Sequence, residues 1–395
     1  MEPVEQPPAT ADVVVVGGGV AGAATAFHAA RAGLRPVIVE ARAAICTLTT
    51  PAAAGAFRLQ FDDRDEWDLV RESAELFLNF AEITGQVRYD LGVRQAGYLW
   101  LTTDEAGADR QRELVARQQE WGQTDIEVLP GDEARQRFPF VGPNVVQARW
   151  RAGDGFLDTK QLTYGLAEGS GGTVVVNCRA TGFDIEGGRV TAVRTERGRI
   201  AAGAAVIAGG PFSRALAATA GVDLPVECIL RQKLIMPNVP QVPADAPMTI
   251  DDDTGAHWRP ALAGAWLLHT DPATPPSPPM EEVPTDSAFA FRLLDPDSPV
   301  AAARTVPFWR DVWDEGAAHW LLQAGQYVVT PDHLPVIGAT TVEGLWLNTA
   351  YGGHGIMESP AGGARLIDLM TGKADPAANP FRPDRPFVPR DQPTL

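Results

Sequence analysis

Cysteine is scarce in this sequence: 395 residues hold three, Cys46, Cys178 and Cys228. They lie far apart, which fits neither a disulfide framework nor a zinc site. All three read as small apolar filler, and no metal site is expected. Positive charge is scarce as well. Lys and Arg number 33 against 50 Asp and Glu, a net charge of −17. That disfavours a nucleic-acid groove or an anionic membrane surface, though not a small zwitterion in an internal pocket. No apolar run approaches the length of a membrane span. The opening "MEPVEQPPATAD" has neither a basic n-region nor an apolar h-region. No signal peptide is expected there, and the expected location is cytoplasmic.

What is present is the material of a large folded chain. Apolar residues make up 45% and charged residues 21%. The length exceeds one small core, so two domains, or one α/β unit with an insertion, are expected. Val13–Val16 reads as a buried strand, Val20 to about Ala32 as a helix, and Pro36–Glu40 as a second strand. Residues 64–84 carry Trp67, Val70, Ala74, Phe77 and Phe80 at helical spacing. A strand is expected at 96–103 and a surface helix at 107–122. Residues 171–210 alternate strands with tight turns, and Gly187-Gly188 is a hairpin signal. Prolines crowd 224–320, with an exposed connector at 271–286. A last strand at 344–350 leads through glycines into a helix. There is no internal repeat. Dinucleotide-type elements thus occur early, midway and late, with different texture between them. The expected division is a cofactor domain of 1–88, 146–222 and 322–395, and a substrate domain of 89–145 and 223–321.

Gly17-Gly18-Gly19-Val20-Ala21-Gly22 satisfies G-x-G-x-x-G between a strand and a helix. Gly17 allows the tight turn, Gly19 lets the backbone approach a pyrophosphate, and Gly22 allows helix and strand to touch. The phosphates would rest on the helix N-terminus, where free N–H groups favour anions. Glu40, 18 residues past Gly22, can accept hydrogen bonds from ribose hydroxyls and would repel a 2′-phosphate. That leaves NAD or FAD. A second glycine site, Gly352, Gly353 and Gly355, also precedes a helix. Its N–H groups suit the negative charge that a reduced flavin develops near N1 and C2, which favours FAD.

Four segments resemble the D-amino-acid oxidase / glycine oxidase / sarcosine oxidase superfamily of FAD enzymes. They are the fingerprint running into "VIVEAR", "TTPAAAGAFRLQF" (49–61), "ATGFDIEGGRVTAVRTERGRIAAGAAVIAGG" (180–210) and "GQYVVTPDHLPVIGATTVEGLWLNTAYGGHGIMESPAGGARLIDLMTGK" (325–373). The resemblance implies an α/β fold: a glutathione-reductase-like, Rossmann-type FAD-binding domain plus a substrate domain with a large antiparallel or mixed sheet and helices. The cofactor residues it implies are Gly17, Gly19, Val20, Ala21, Gly22, Glu40, Ala41 and Arg42. Thr49 and Thr50 would offer hydroxyls to the phosphates. Gly55, Ala56, Phe57, Ala180, Gly209, Gly210 and the loop Gly352, Gly353, His354, Gly355, Ile356 and Met357 complete the set.

On the substrate side, a carboxylate is best held by the planar fork of an arginine. Arg58 matches the carboxylate arginine of sarcosine oxidases, and Arg259 sits on a substrate-domain strand. Tyr327 matches a tyrosine lining that site, and His269 matches its histidine. His354 would shape the flavin loop. Trp258 is a pocket wall or ordinary core, and Asp332 holds a turn. The chain also departs from the resemblance. Gly325 stands where monomeric sarcosine oxidases carry their flavin-linking cysteine, so FAD is expected to be non-covalent. Ala265 replaces the oxygen-activating lysine, with Lys233 as the alternative. Met357 replaces a carboxylate-binding lysine.

The expected function is an FAD-dependent amine oxidoreductase. It would oxidise the C–N bond of an amino acid or N-substituted amino acid by hydride transfer to flavin N5, and the imine would then hydrolyse. Electrons would pass to oxygen or another acceptor. The alternatives are an FAD-dependent 2-hydroxy-acid dehydrogenase and a non-catalytic flavin-bearing assembly subunit. A flavin hydroxylase is disfavoured, because "TPDHLPVIG" and "GGHGIM" stand in place of a Gly-Asp-Ala type of motif. The sequence leaves substrate, stereochemistry, acceptor and oligomeric state open.

Overall fold

The structure, a computed structural model, describes residues 2–316 and 319–390. The outermost residues of the expected segments 1–88 and 322–395, and positions 317–318 of segment 223–321, lie outside the described residues.

The four valines Val13–Val16 form the central strand of a six-stranded sheet. Side chains on a strand alternate between faces, and both faces here are covered. Val13 and Val15 join the core beneath the helices Val20–Arg31, Thr159–Gly169 and Gly355–Met370, while Val14 and Val16 join the core on the opposite face. Each buried valine contributes about 1.5–3 kcal/mol of transfer free energy. The strand order is Val336–Ala339, Leu345–Thr349, Ala205–Ile207, Val13–Val16, Pro36–Val39, Thr173–Val175. The first pair is antiparallel and the others parallel, so the C-terminal ends of the parallel strands open on one edge. The opposite face of this sheet packs on a three-stranded antiparallel sheet, Ala180–Glu186, Arg189–Thr195 and Gly198–Ala201. Its first hairpin turns at Gly187 and Gly188, both at positive φ.

The second body is a nine-stranded mixed sheet. Its path is Pro276–Ser277, Glu227–Met236, Gly264–His269, Ala256–Ala261, Met248–Asp251, Tyr98–Thr102, Gln147–Arg151 and Glu127–Pro130, and Leu321–Val329 also pairs with Glu227–Met236. Met248–Asp251 and Tyr98–Thr102 run parallel; the other pairs are antiparallel. Two strands that fall wholly or almost wholly within the expected cofactor segments 146–222 and 322–395, Gln147–Arg151 and Leu321–Val329, belong to this sheet. Leu321–Val329 pairs with a strand far earlier in the chain, and Gln147–Arg151 with Tyr98–Thr102 as well as the nearer Glu127–Pro130, pairings that a local pattern does not encode.

The helical spacing of 64–84 resolves into two helices, Arg64–Leu78 and Phe80–Thr84, broken at Asn79 (φ −119°). Asp63 caps the first by accepting from the N–H groups of Asp65 and Glu66. Trp67, Val70, Ala74 and Phe77 are buried, so this helix lies firmly on Gly355–Met370 and brings Glu66 to it. The Ala361 N–H donates to Ser73 Oγ (3.1 Å), tying the two helices together. All three cysteines are buried and unlinked.

Candidate cofactor and substrate site

A cavity of about 440 Å³ runs along the edge where the parallel strands end. At one end lies the glycine turn. Gly17 has φ +117°, and a Cβ there would stand 2.3 Å from the Ala208 carbonyl oxygen; a Cβ on Gly22 would meet the Gly17 oxygen at 1.9 Å. Only glycine fits either place. The helix Val20–Arg31 starts at Gly19 without a side-chain cap. Its Val20 N–H donates to Thr50 Oγ1 (3.2 Å), so Thr50 lies where a phosphate oxygen would sit. Glu40 accepts from the N–H groups of Gly18 and Arg42, each at 2.8 Å. Burial raises its pKa, and those N–H bonds oppose the rise.

Gly17, Gly19, Val20, Ala21, Glu40, Ala41, Arg42, Thr49, Thr50, Ala180, Gly209 and Gly210 all line this cavity, and Gly352, Gly353, Gly355 and Ile356 close its far end. The helix Gly355–Met370 begins there, again without a side-chain cap. Two uncapped helix starts facing one elongated cavity fit a dinucleotide whose ring develops negative charge at the far end. Six expected members are elsewhere: Gly55, Ala56, His354 and Met357 line a smaller neighbouring cavity, and the other two lie behind the wall. Gly22 packs on Gly17 behind the turn, and Phe57 is core against Phe77. Thr181, Gln326 and Tyr351 line the cavity and were not anticipated, because each sits beside a motif residue without a pattern of its own.

A second, smaller cavity of about 100 Å³ adjoins the far end. Tyr327, Gly352, Gly353 and Ile356 line both cavities. Gly55, Ala56, Arg58, Tyr98, His257, His354 and Met357 line the smaller one. Gly55 and Ala56, expected among the cofactor residues, therefore line the smaller cavity and not the long one. Arg58 is 5% exposed. Its guanidinium lies over the rings of Phe61 (4.4 Å) and Trp100 (5.5 Å), and its Nε donates to the Gln60 carbonyl (3.2 Å). These contacts fix the fork in the wall.

Arg58 Nη2 is 3.3 Å from His354 Nε2, and His354 Nδ1 is 3.1 Å from Glu66 and 3.4 Å from Glu358. Both carboxylates are buried. Burial works to lower the His354 pKa, but the bonds to Glu358 and Glu66 outweigh it and raise it to about 9. Burial, then the neighbouring Glu66 charge, lift Glu358 to about 8. The cluster therefore holds protons at pH 7 that exposed groups would lose. Glu66, His354 and Glu358 place one potential metal-ligand atom each within 4.8 Å of one another. The Arg58 guanidinium touches the far side of the same imidazole, at Nε2.

Three expected catalytic positions are corrected. His269 is absent from the walls of both cavities; its Nε2 lies 3.1 Å from the Thr254 carbonyl. Leu268 lines the smaller cavity, and strand alternation turns His269 the other way. The histidine on the correct face is His257, directly opposite Leu268 across the ladder. Its Nδ1 donates to the Gly255 carbonyl (2.9 Å), leaving the Nε2 lone pair, and burial lowers its pKa to about 4. Arg259 lines a third cavity. Lys233 lines that cavity too, and donates to the carbonyls of Pro51 and Ala53, both at 3.1 Å. Trp258 is core, packed on Phe140, Phe308 and Trp309. Asp332 bonds Thr330, Leu334 and Arg385, a turn-holding role.

With this geometry in place, likeness to known proteins decides the family. The family described as FAD dependent oxidoreductase, DAO, matches residues 12–369. The chain belongs to that family. This DAO-family chain is 28% identical over 394 residues to glycine oxidase of Pseudomonas putida, covering 95% of this chain and 98% of the relative. It is 27% identical to FAD-dependent oxidoreductase domain-containing protein 1 of Xenopus laevis, covering 92% of this chain and 80% of the relative. The solved glycine oxidase of Geobacillus kaustophilus has a TM-score of 0.82 at 24% identity, covering 96% of this chain and 100% of the other, a likeness of fold. The DAO-family protein is thus an FAD-dependent oxidoreductase. Among the described residues, no helix is long and apolar enough to cross a membrane.

Proposed function

We propose that this enzyme oxidises the C–N bond of a small amino acid or N-substituted amino acid, using non-covalently bound FAD. The observation that carries the reading is Arg58: a buried guanidinium in the wall of a cavity bounded by Tyr327 and the Gly352-Gly353 loop. Its fork suits a substrate carboxylate. Names among the relatives, glycine oxidase and D-amino acid dehydrogenase, agree with an amino-acid substrate. A water-sized group needs roughly 10–15 Å³ of such volume, so about 100 Å³ suits a compact substrate of some seven to ten heavy atoms.

The glycine turn, Glu40 and the Gly352–Ile356 loop would hold FAD, which when bound supplies the acceptor for a hydride leaving the substrate Cα. Gly325 offers no side chain for covalent attachment. Arg58 anchors the carboxylate and the neighbouring His354 adds positive charge. Neutral His257 can accept an N–H bond from the amine, and the positive charge of Arg58 and His354 disfavours an ammonium beside them, which favours the unprotonated amine that can give up a hydride. Water then hydrolyses the imine.

His257 also favours a second reading, oxidation of a 2-hydroxy acid, because its free lone pair can take an O–H proton. Anaerobic mixing of the FAD enzyme with a panel of amines and hydroxy acids separates the two. Loss of oxidised-flavin absorbance with amino acids supports the proposal. Bleaching by hydroxy acids alone overturns it, and bleaching by neither points to a flavin-bearing subunit without turnover.

A further inference from the structure

The turn Thr49–Ala52 has two sides. Thr49 and Thr50 line the cofactor cavity, whereas Pro51 lines a separate cavity of about 550 Å³. Four cations face this third cavity: Arg94, Lys160, Lys233 and Arg259. Lys233 and Arg259 are 1% and 6% exposed and form its floor, while Arg94 and Lys160 are exposed at its rim. None of the four is in an ion pair among the described residues. The one acid in the wall, Asp158, spends Oδ1 on the N–H groups of Lys160 and Gln161 (2.8 and 3.0 Å). A chain of net charge −17 thus gathers four basic side chains against one acid at one place.

The floor is also built for binding. Arg259 lies between the rings of Phe156 (4.4 Å) and Trp266 (4.0 Å), and Lys233 Nζ lies 3.9 Å from the Trp266 ring centre. Arg259 Nε and Nη1 are held by the carbonyls of Ala54 and Pro260. Cations buried without counter-charges are costly unless a partner compensates them. We propose that this cavity binds a small organic anion carrying at least two negative charges, its charged end on Lys233 and Arg259 and its apolar part on the walls beside Leu157 and Ile235.

One consequence follows from the charges around Lys233. Burial, then the nearby Arg259 and Lys160, lower its pKa to about 7. Arg94 and Asp158 are the other charged groups on the cavity wall. A bound anion reverses the local repulsion, so binding takes up a proton near pH 7 and tightens as pH falls. Lys233 also holds the carbonyls of Pro51 and Ala53, and Ala53 lines the long cavity, so one lysine ties together the walls of both.

The test is calorimetric titration of the FAD-loaded enzyme at low ionic strength with three probes: pyrophosphate, citrate and phenyl phosphate. The expected result is saturable binding of at least one probe at one site. The double variant Arg94→Ala/Lys160→Ala should weaken it at least tenfold and leave the substrate KM unchanged. Phenyl phosphate binding tighter than citrate assigns a phosphate ester; the reverse assigns a polycarboxylate. Tryptophan emission should change on binding in the wild type and not in Trp266→Phe, which locates the site. No saturable heat with any probe, or equal affinity in the double variant, overturns the proposal. Neither result depends on turnover, so it stands or falls apart from the amine-oxidation reading.

Discussion

Arg58 Nη2 and His354 Nε2 meet at 3.3 Å although 296 residues separate them in the chain. The contact joins the segment after the first βαβ unit to the loop before the last helix, and it faces the smaller cavity. If Arg58 holds the substrate carboxylate, Arg58→Lys keeps the charge and loses the fork. Losing a partner from a buried, hydrogen-bonded charge pair costs about 2–4 kcal/mol, so kcat/KM should fall roughly 30- to 1,000-fold, mainly through KM. Steady-state kinetics with FAD content measured in parallel checks this. Unchanged KM would remove Arg58 from the substrate site.

The buried cluster predicts an alkaline limit. His354 is raised to about 9 and Glu358 to about 8, so both keep their protons at pH 7 and lose them as pH rises through those values. The cavity then loses positive charge beside the carboxylate. KM should rise above about pH 8 while FAD stays bound. Glu358→Gln removes one titrating group and should move that limb. A KM flat from pH 7 to 10 would show that the cluster does not face the substrate.

Strand alternation makes the two histidines a matched pair. His257→Ala should lower kcat/KM by about a hundredfold, the scale of a lost proton-accepting group. His269→Ala should leave kcat/KM within about threefold, because His269 bonds the Thr254 carbonyl away from both cavities. Reversed effects would restore the expectation drawn from resemblance.

Gly17→Ala tests the cofactor turn. The new Cβ would demand φ +117° of an alanine and stand 2.3 Å from the Ala208 oxygen. Left-handed backbone alone costs an L-residue about 1–2 kcal/mol. FAD affinity should fall at least tenfold, with a melting temperature lower by several degrees, as read by fluorescence titration and thermal melts. Wild-type FAD binding would mean that the turn relaxes and does not contact the pyrophosphate.

Much of the cofactor half was legible because its cues are local. Gly17, Gly19, Glu40 and the Gly352-Gly353 loop declare themselves by spacing around strands and helices, and all of them line the long cavity. The substrate half was legible in part. Arg58 and Tyr327 line the smaller cavity, but His269 and Arg259 do not, and His257 passed unnoticed. His257 and Arg259 are two apart on one strand and share a face, yet the segment around Ala54 divides that face into two cavities. Nothing in "GAHWRP" records that division. Glu66 reads in sequence as an acid in the first turn of an amphipathic helix, a solvent-facing pattern. Packing on the last helix buries it instead.

The sequence by itself determined the βαβ cradle with Glu40 just past its second strand, and the second uncapped helix start at Gly355. These depend on residues within one βαβ unit or one loop, where backbone geometry leaves few choices. Tertiary structure alone decided which side chains share a cavity. Facing direction on a strand flips with every residue, and which strand faces overlie the cavities is set by packing against segments far away in the chain, such as the turn at 53–56 and the loop at 352–354. That is why His257 rather than His269 meets Tyr327, why the proton-holding cluster of Glu66, His354 and Glu358 forms, and why four scattered cations surround one cavity.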